Sequence, residues 1–133
     1  MSTFLYIEDD PFSREVMKLL LVDMLGFKQV TIFEDSSDFE PKLLQLSPVP
    51  QIIFVDIHME PINGFKILEI IRRHSRFASS QVIALTASVM NEEVKLLKEA
   101  GFNGAIAKPV DSDTFPETLN RIYRGEEVWK IIA

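Results

Sequence analysis

Short apolar runs recur along the chain: FLYI at residues 4–7, VTIF at 30–33, IIFV at 52–55, VIAL at 82–85 and a weaker AIA at 105–107. Most are rich in β-branched or aromatic residues, and none alternates with polar positions. That pattern suits strands buried on both faces of a parallel sheet. The segments between the runs carry helical spacing. Over residues 11–25, Asp10 is placed to cap, Pro11 suits the first helical position and Gly26 stands just past the end. Residues 38–46 make a poorer helix, with Pro41 near its start and Pro48 and Pro50 beyond it. In a third, Phe65, Leu68 and Ile71 share a face. A fourth begins near Asn91, carries Val94, Leu97 and Lys98, and stops at Gly101. In the last, Thr114-Phe115-Pro116-Glu117 has the form of a capping box ahead of Leu119, Ile122 and Tyr123. The alternation predicts an α/β fold: a five-stranded parallel sheet with helices on both faces, joined by right-handed crossovers.

In open parallel sheets, ligands bind beyond the carboxyl ends of the strands. The residues there are Glu8, Asp9 and Asp10 after the first run, Asp56 after the third, Thr86 after the fourth and Lys108-Pro109 after the fifth. Taken singly, each reads as a turn, a cap or a loop residue. Together they bring carboxylates, a hydroxyl and an ammonium to one sheet edge. Like charges ~4 Å apart repel by roughly 4 kcal/mol at an effective dielectric of 20, so such a cluster calls for a cation or for solvent. All-oxygen ligands select a hard cation, and few protein ligands plus waters suit Mg²⁺. Lys108 and Thr86 add what a metal alone does not need: partners for phosphoryl oxygens. Aspartate is a known covalent phosphoryl acceptor, and Asp56 lies at the centre of the set.

Composition narrows the field. A length of 133 residues fits one domain, and a hydrophobic fraction of 47 % is enough for a core. The net charge of −6 disfavours nucleic acid, which needs a basic face. No stretch approaches ~18 consecutive apolar residues, and the start lacks the pattern of a secretory leader, so the expectation is a cytoplasmic protein with no membrane partner. The absence of cysteine removes disulfides, thiol catalysis and cysteine-bound metal.

These residues carry a family likeness over nearly the whole chain. Leu5-Tyr6-Ile7-Glu8-Asp9-Asp10-Pro11-Phe12-Ser13-Arg14 is similar to the opening strand, acidic pair and first helix of the receiver domains of two-component response regulators. The segment from Val55 through Asp56 to Gly64 resembles the phosphoacceptor loop, while Ile83-Ala84-Leu85-Thr86-Ala87 and Ala107-Lys108-Pro109 match the hydroxyl and lysine motifs. The resemblance implies the flavodoxin-like strand order 2-1-3-4-5. It further implies that Asp56 accepts a phosphoryl group from a histidine kinase or phosphotransfer protein. Asp9, Asp56 and the main-chain carbonyl of His58 would ligate Mg²⁺, with Glu8 acting through water. Thr86 and Lys108 would hold the phosphoryl oxygens. The ending, Gly125-Glu126-Glu127-Val128-Trp129, looks like that of stand-alone receivers of the chemotaxis-regulator type. The expected division is a receiver domain over residues 1–124 and a short tail over 125–133, with output by protein contact.

The chain also departs from the family. Ala105 stands where members usually carry the Tyr or Phe of an aromatic switch, so signal transmission differs here. Glu60 replaces the common proline of the phosphoacceptor loop and adds negative charge beside the pocket. His58 either overhangs the acceptor, where it affects hydrolysis, or faces solvent. His74 is expected to be exposed at the end of the third helix. The first helix is apolar nearly all round, which fits a partner or homodimer surface as well as deep burial. Trp129, Ile131 and Ile132 either fold back onto the domain or mediate self-association. The leading reading is a phosphorylatable receiver. Its alternatives are a receiver-like interaction domain with phosphorylation-independent output, motivated by Ala105 and Glu60, and a small aspartyl-phosphate phosphatase with His58 at the acid position.

Overall fold

In the computed structural model, residues 3–87 and 90–130 are described. The strands are β1 (Thr3–Ile7), β2 (Gln29–Phe33), β3 (Ile52–Asp56), β4 (Gln81–Thr86), β5 (Gly104–Ala107) and β6 (Val128–Lys130). The helices are α1 (Pro11–Lys18), α2 (Phe39–Leu44), α3 (Gly64–Arg72), α4 (Asn91–Ala100) and α5 (Phe115–Tyr123). All strands pair in parallel in the order β2-β1-β3-β4-β5-β6. The fold is α/β and flavodoxin-like, with the expected order extended by one strand.

Every residue of β1, β3 and β5 is buried, as continuous apolar runs covered on both faces require. One face packs Leu5, Ile53, Val55, Ala84 and Ala105 against Leu43, Ile67, Ile71 and Leu97 of α2, α3 and α4. The other packs Phe4, Tyr6, Phe54, Ile83 and Leu85 against Met17, Leu20, Leu119 and Ile122. Asp10 caps α1 as its position predicts, its Oδ2 accepting from the Ser13 amide at 2.9 Å and the Ser13 hydroxyl at 2.7 Å.

Three features differ from the sequence-based expectation. The first helix is α-helical only to Lys18 and continues as a π-helical segment, Leu19–Met24, in which the Leu25 amide reaches the Leu20 carbonyl. The five-residue step stacks Val16 over Leu21 and Leu20 over Leu25, and all four join one apolar cluster. The capping box at Thr114 does not form, and Thr114 makes no side-chain cap. Thr114 sits at φ −102°, ψ −17°, in the helical region rather than the extended one from which a capping side chain reaches the third amide, and Pro116 has no N–H to offer as the second.

The third is β6, which lies in the segment expected to be a tail. Its register sets Val128 beside Gly104 and Trp129 beside Ala105. A Cβ on Gly104 would stand 2.5 Å from the Val128 carbonyl oxygen, so β6 needs a glycine there. Trp129 folds back onto the domain, half-buried against the cluster that holds Ala105. The Lys98 ammonium sits 5.0 Å from its ring centroid. Ile131 and Ile132 lie outside the described residues.

Candidate functional site

The parallel register aligns the strand ends: Ile7 with Val55, Asp56 with Leu85 and Thr86 with Ala107. Whatever follows these positions emerges at one edge of the sheet. Glu8 follows β1, Asp56 ends β3, Thr86 ends β4 and Lys108 follows β5. The Lys108 amide donates to the Thr86 carbonyl at 2.8 Å, so the hydroxyl-bearing and ammonium-bearing residues share a backbone bond. One carboxylate oxygen from each of Glu8, Asp9 and Asp56 lies within 4.8 Å of the other two. Glu8 and Asp56 are buried, and Asp9 is exposed at the mouth.

Lys108 spans the pair, its Nζ lying 2.9 Å from Glu8 Oε1 and 3.5 Å from Asp56 Oδ1. The Tyr6 hydroxyl donates to the same Glu8 oxygen at 2.6 Å. Burial pushes Asp56 up to about 7, with the hydrogen bond and charge of Glu8 adding to it. Burial would also raise Glu8. Its hydrogen bonds with Asp56, Tyr6 and Lys108 prevail, and Glu8 lies below its ordinary range. Lys108 is held above its ordinary value because Glu8 and Asp56 outweigh the effect of burial. The pocket therefore places a protonatable carboxyl beside a fixed carboxylate and a fixed ammonium. It can hold a hard cation through its three carboxylates and a phosphoryl group through its ammonium and hydroxyl.

The loop after β3 leaves Asp56 along the His58 amide, which donates to Asp56 Oδ1 at 3.3 Å. At Gly64 a Cβ would lie 2.9 Å from the Asp56 carbonyl oxygen and 2.8 Å from Ile57 Cα, so the loop closes this tightly only on glycine. The His58 side chain is exposed and faces Glu93 of α4, with Nε2 to Oε1 at 3.8 Å. Of its two expected placements, the structure shows the solvent-facing one. Glu60 is exposed on the same loop. Ala105 is buried in β5, between Ala84 of β4 and Trp129 of β6. His74 is only partly exposed. Its Nε2 lies 2.6 Å from Glu40 Oε2, because the end of α3 packs against α2.

Two residues of the site escaped the sequence reading. Arg14 donates from Nη1 to the Glu8 carbonyl at 3.0 Å and the Glu34 carbonyl at 3.3 Å, tying the end of β1 to the loop after β2. In the sequence Tyr6 stands out only as a member of an apolar run and of the family-like opening strand. The signal was its position two residues before Glu8, which puts both side chains on one face of an extended strand.

Residues 4–120 match the family model described as the response regulator receiver domain. The chain is 28 % identical over 129 residues to the osmosensing histidine protein kinase SLN1 of Saccharomyces cerevisiae, covering 92 % of this chain and 10 % of that protein. It is 28 % identical over 124 residues to the nitrate/nitrite response regulator protein homolog of Haemophilus influenzae, covering 93 % of this chain and 58 % of the relative. The chain thus spans a tenth and somewhat over half of these relatives' lengths. Among solved structures, the chemotaxis response regulator CheY4 of Vibrio cholerae superposes with a TM-score of 0.81 at 24 % identity, over 92 % of this chain and 98 % of the other.

Proposed function

The chain belongs to the response regulator receiver domain family, and from that premise we propose that it is a phosphorylatable receiver of a two-component phosphorelay with Asp56 as acceptor. The observation that supports this best is the meeting of Glu8, Asp9 and Asp56 within 4.8 Å, with Lys108 in contact with both buried carboxylates. Receiver domains are signalling modules that bind Mg²⁺ at an acidic pocket, and the all-carboxylate donor set here fits a hard cation. Asp9, Asp56 and the His58 carbonyl would hold the ion, with Glu8 acting through water. When bound, Mg²⁺ supplies positive charge that offsets the negative charge of the transferring group.

In the transfer step, an Asp56 carboxylate oxygen attacks phosphorus and the P–N bond of a phosphohistidine donor breaks. The electron pair goes to the donor imidazole, which takes up a proton. Lys108 and Thr86 hold phosphoryl oxygens as the P–O bond to Asp56 forms. Reversal of the signal needs only water: it attacks phosphorus, the P–O bond breaks, and the Asp56 carboxylate and inorganic phosphate are released. Exposed Glu60, which with Asp9 lines a cavity beside the acidic cluster, borders that route and would tune its rate. The donor is a histidine kinase or phosphotransfer protein, met in the cytoplasm. Its docking surface is exposed Phe12 on α1 together with the cavity of about 240 Å³ that Phe12, Val16, Lys108 and Pro109 help line. The receiver unit is residues 1–124, and residues 125–133 are an appendage that adds β6.

Ala105 favours a second reading, of output rather than chemistry. A methyl group buried beside Trp129 cannot swing, so the state of Asp56 would be read by another route or not at all. Acetyl phosphate with Mg²⁺ tests the first reading. Intact mass is expected to show one acid-stable, base-labile adduct that vanishes with a chelator and in Asp56→Ala. Failure of the wild type to form it, with Mg²⁺ shown to bind, would favour an interaction domain.

A further inference from the structure

Tyr6 is 1 % exposed, with its ring edge-on to Phe54 at 6.5 Å, and its hydroxyl reaches an oxygen that a second donor already serves. That oxygen, Glu8 Oε1, takes Tyr6 at 2.6 Å and Lys108 at 2.9 Å, while Glu8 Oε2 takes the Asp10 amide at a longer 3.3 Å. Glu8 is fully buried. A buried carboxylate that loses its donors is strongly disfavoured.

Lys108 already divides its ammonium between Glu8 and Asp56, and a phosphoryl group on Asp56 would bring further anionic oxygens to compete for it. As its ammonium turns to the new anion, Oε1 loses its charged partner. We infer that Tyr6 is a positioning residue for phosphoryl capture, its hydroxyl holding Glu8 Oε1 while Lys108 moves to the phosphoryl oxygens. This rests on the reading of Asp56 as acceptor and of Lys108 as phosphoryl partner. The longer Glu8 side chain lets one carboxylate meet both donors. Burial, with Glu8 beside it, raises Tyr6 far above the ordinary tyrosine range, so the hydroxyl remains a donor at every working pH.

Tyr6→Phe keeps the ring and removes only the hydroxyl. The test is calorimetric titration of the full chain with beryllofluoride, a phosphoryl mimic that bonds to a carboxylate oxygen, at saturating Mg²⁺. The variant is expected to bind it about tenfold more weakly than wild type, the scale of a hydrogen bond to a charged group. Its affinity for Mg²⁺ alone should change far less. In a Glu8→Gln background no charge is left to strand, so adding Tyr6→Phe should alter beryllofluoride affinity by less than about twofold. A general packing role would give equal losses in both backgrounds and would overturn the inference, as would unchanged binding by Tyr6→Phe. Failure of the wild type to bind beryllofluoride sinks the reading of Asp56 itself, and so is distinguishable from failure of the variant comparison.

Discussion

Burial and the neighbouring Glu8 raise Asp56 on folding, so over the span between the two values the folded domain holds a proton there that the unfolded chain releases. The ordinary value of Asp56 is 3.8, and in the ion-free folded domain it stands at about 7. A carboxyl raised on folding contributes stability that is full below the unfolded value and is lost as pH climbs through the folded one. Glu8, held below its ordinary 4.5, acts in the opposite sense, losing its contribution as pH falls. The ion-free domain should therefore lose stability from Asp56 between about pH 4 and 7. Asp56→Asn, neutral throughout, should be more stable than wild type at about pH 8 without a divalent ion. Mg²⁺ should stabilise the wild type there and leave the variant unmoved. Thermal melting with and without a chelator checks both, and parallel pH profiles for the two proteins would place the titration elsewhere. The convergence of Glu8, Asp9, Asp56 and Lys108 was legible because each is a polar residue at or just past the end of an apolar run. Tyr6 and Arg14 were not. Each acts through a partner distant in kind or in sequence, a buried carboxylate for one and two backbone carbonyls for the other.

At the scale of elements, apolar runs and punctuation located every central strand and helix to within a few residues. What they missed was local or cooperative. Residues 19–25 are apolar at every position but Asp23, so no periodicity there separates π from α winding. The capping box failed because Thr114 takes a helical rather than an extended backbone conformation, which its sequence position does not reveal. Val128-Trp129-Lys130 is too short and too mixed to read as a strand, and only its fit to Gly104 and Ala105 makes it one. That fit gives a direct test. Gly104→Ala should destabilise the full chain by about 1–3 kcal/mol, the range of an overpacked contact. After removal of residues 128–133 the same substitution should have little effect. Urea unfolding of the four proteins measures the coupling, and an equal penalty with and without the strand would show that the glycine answers to something else.

At the scale of the whole molecule, the polar chemistry lies at one sheet edge, and apolar side chains of the first helix are exposed next to it. Phe12 is 71 % exposed, and Leu19 and Met24 about half. On the proposed reading, a small phosphodonor needs none of that surface, whereas a protein donor would be seated on it. Phe12→Asp should slow transfer from a phosphohistidine protein by at least about tenfold, the scale of losing a buried aromatic anchor. The rate with acetyl phosphate should stay unchanged, and rates falling together would assign Phe12 to the pocket instead. Apolar excess in the first helix was visible in the sequence. Which of its residues remain uncovered was not, since that depends on how the helix rolls against the sheet.

The chain has a single tryptophan, and it is the one packed beside Ala105 beneath the Lys98 ammonium. Indole emission responds to a nearby cation and to water. The unlabelled protein thus carries its own optical probe of the gap between α4 and β5, on the side where a moving aromatic is missing. A spectral shift on adding acetyl phosphate would report, in real time, that the state of Asp56 reaches α4.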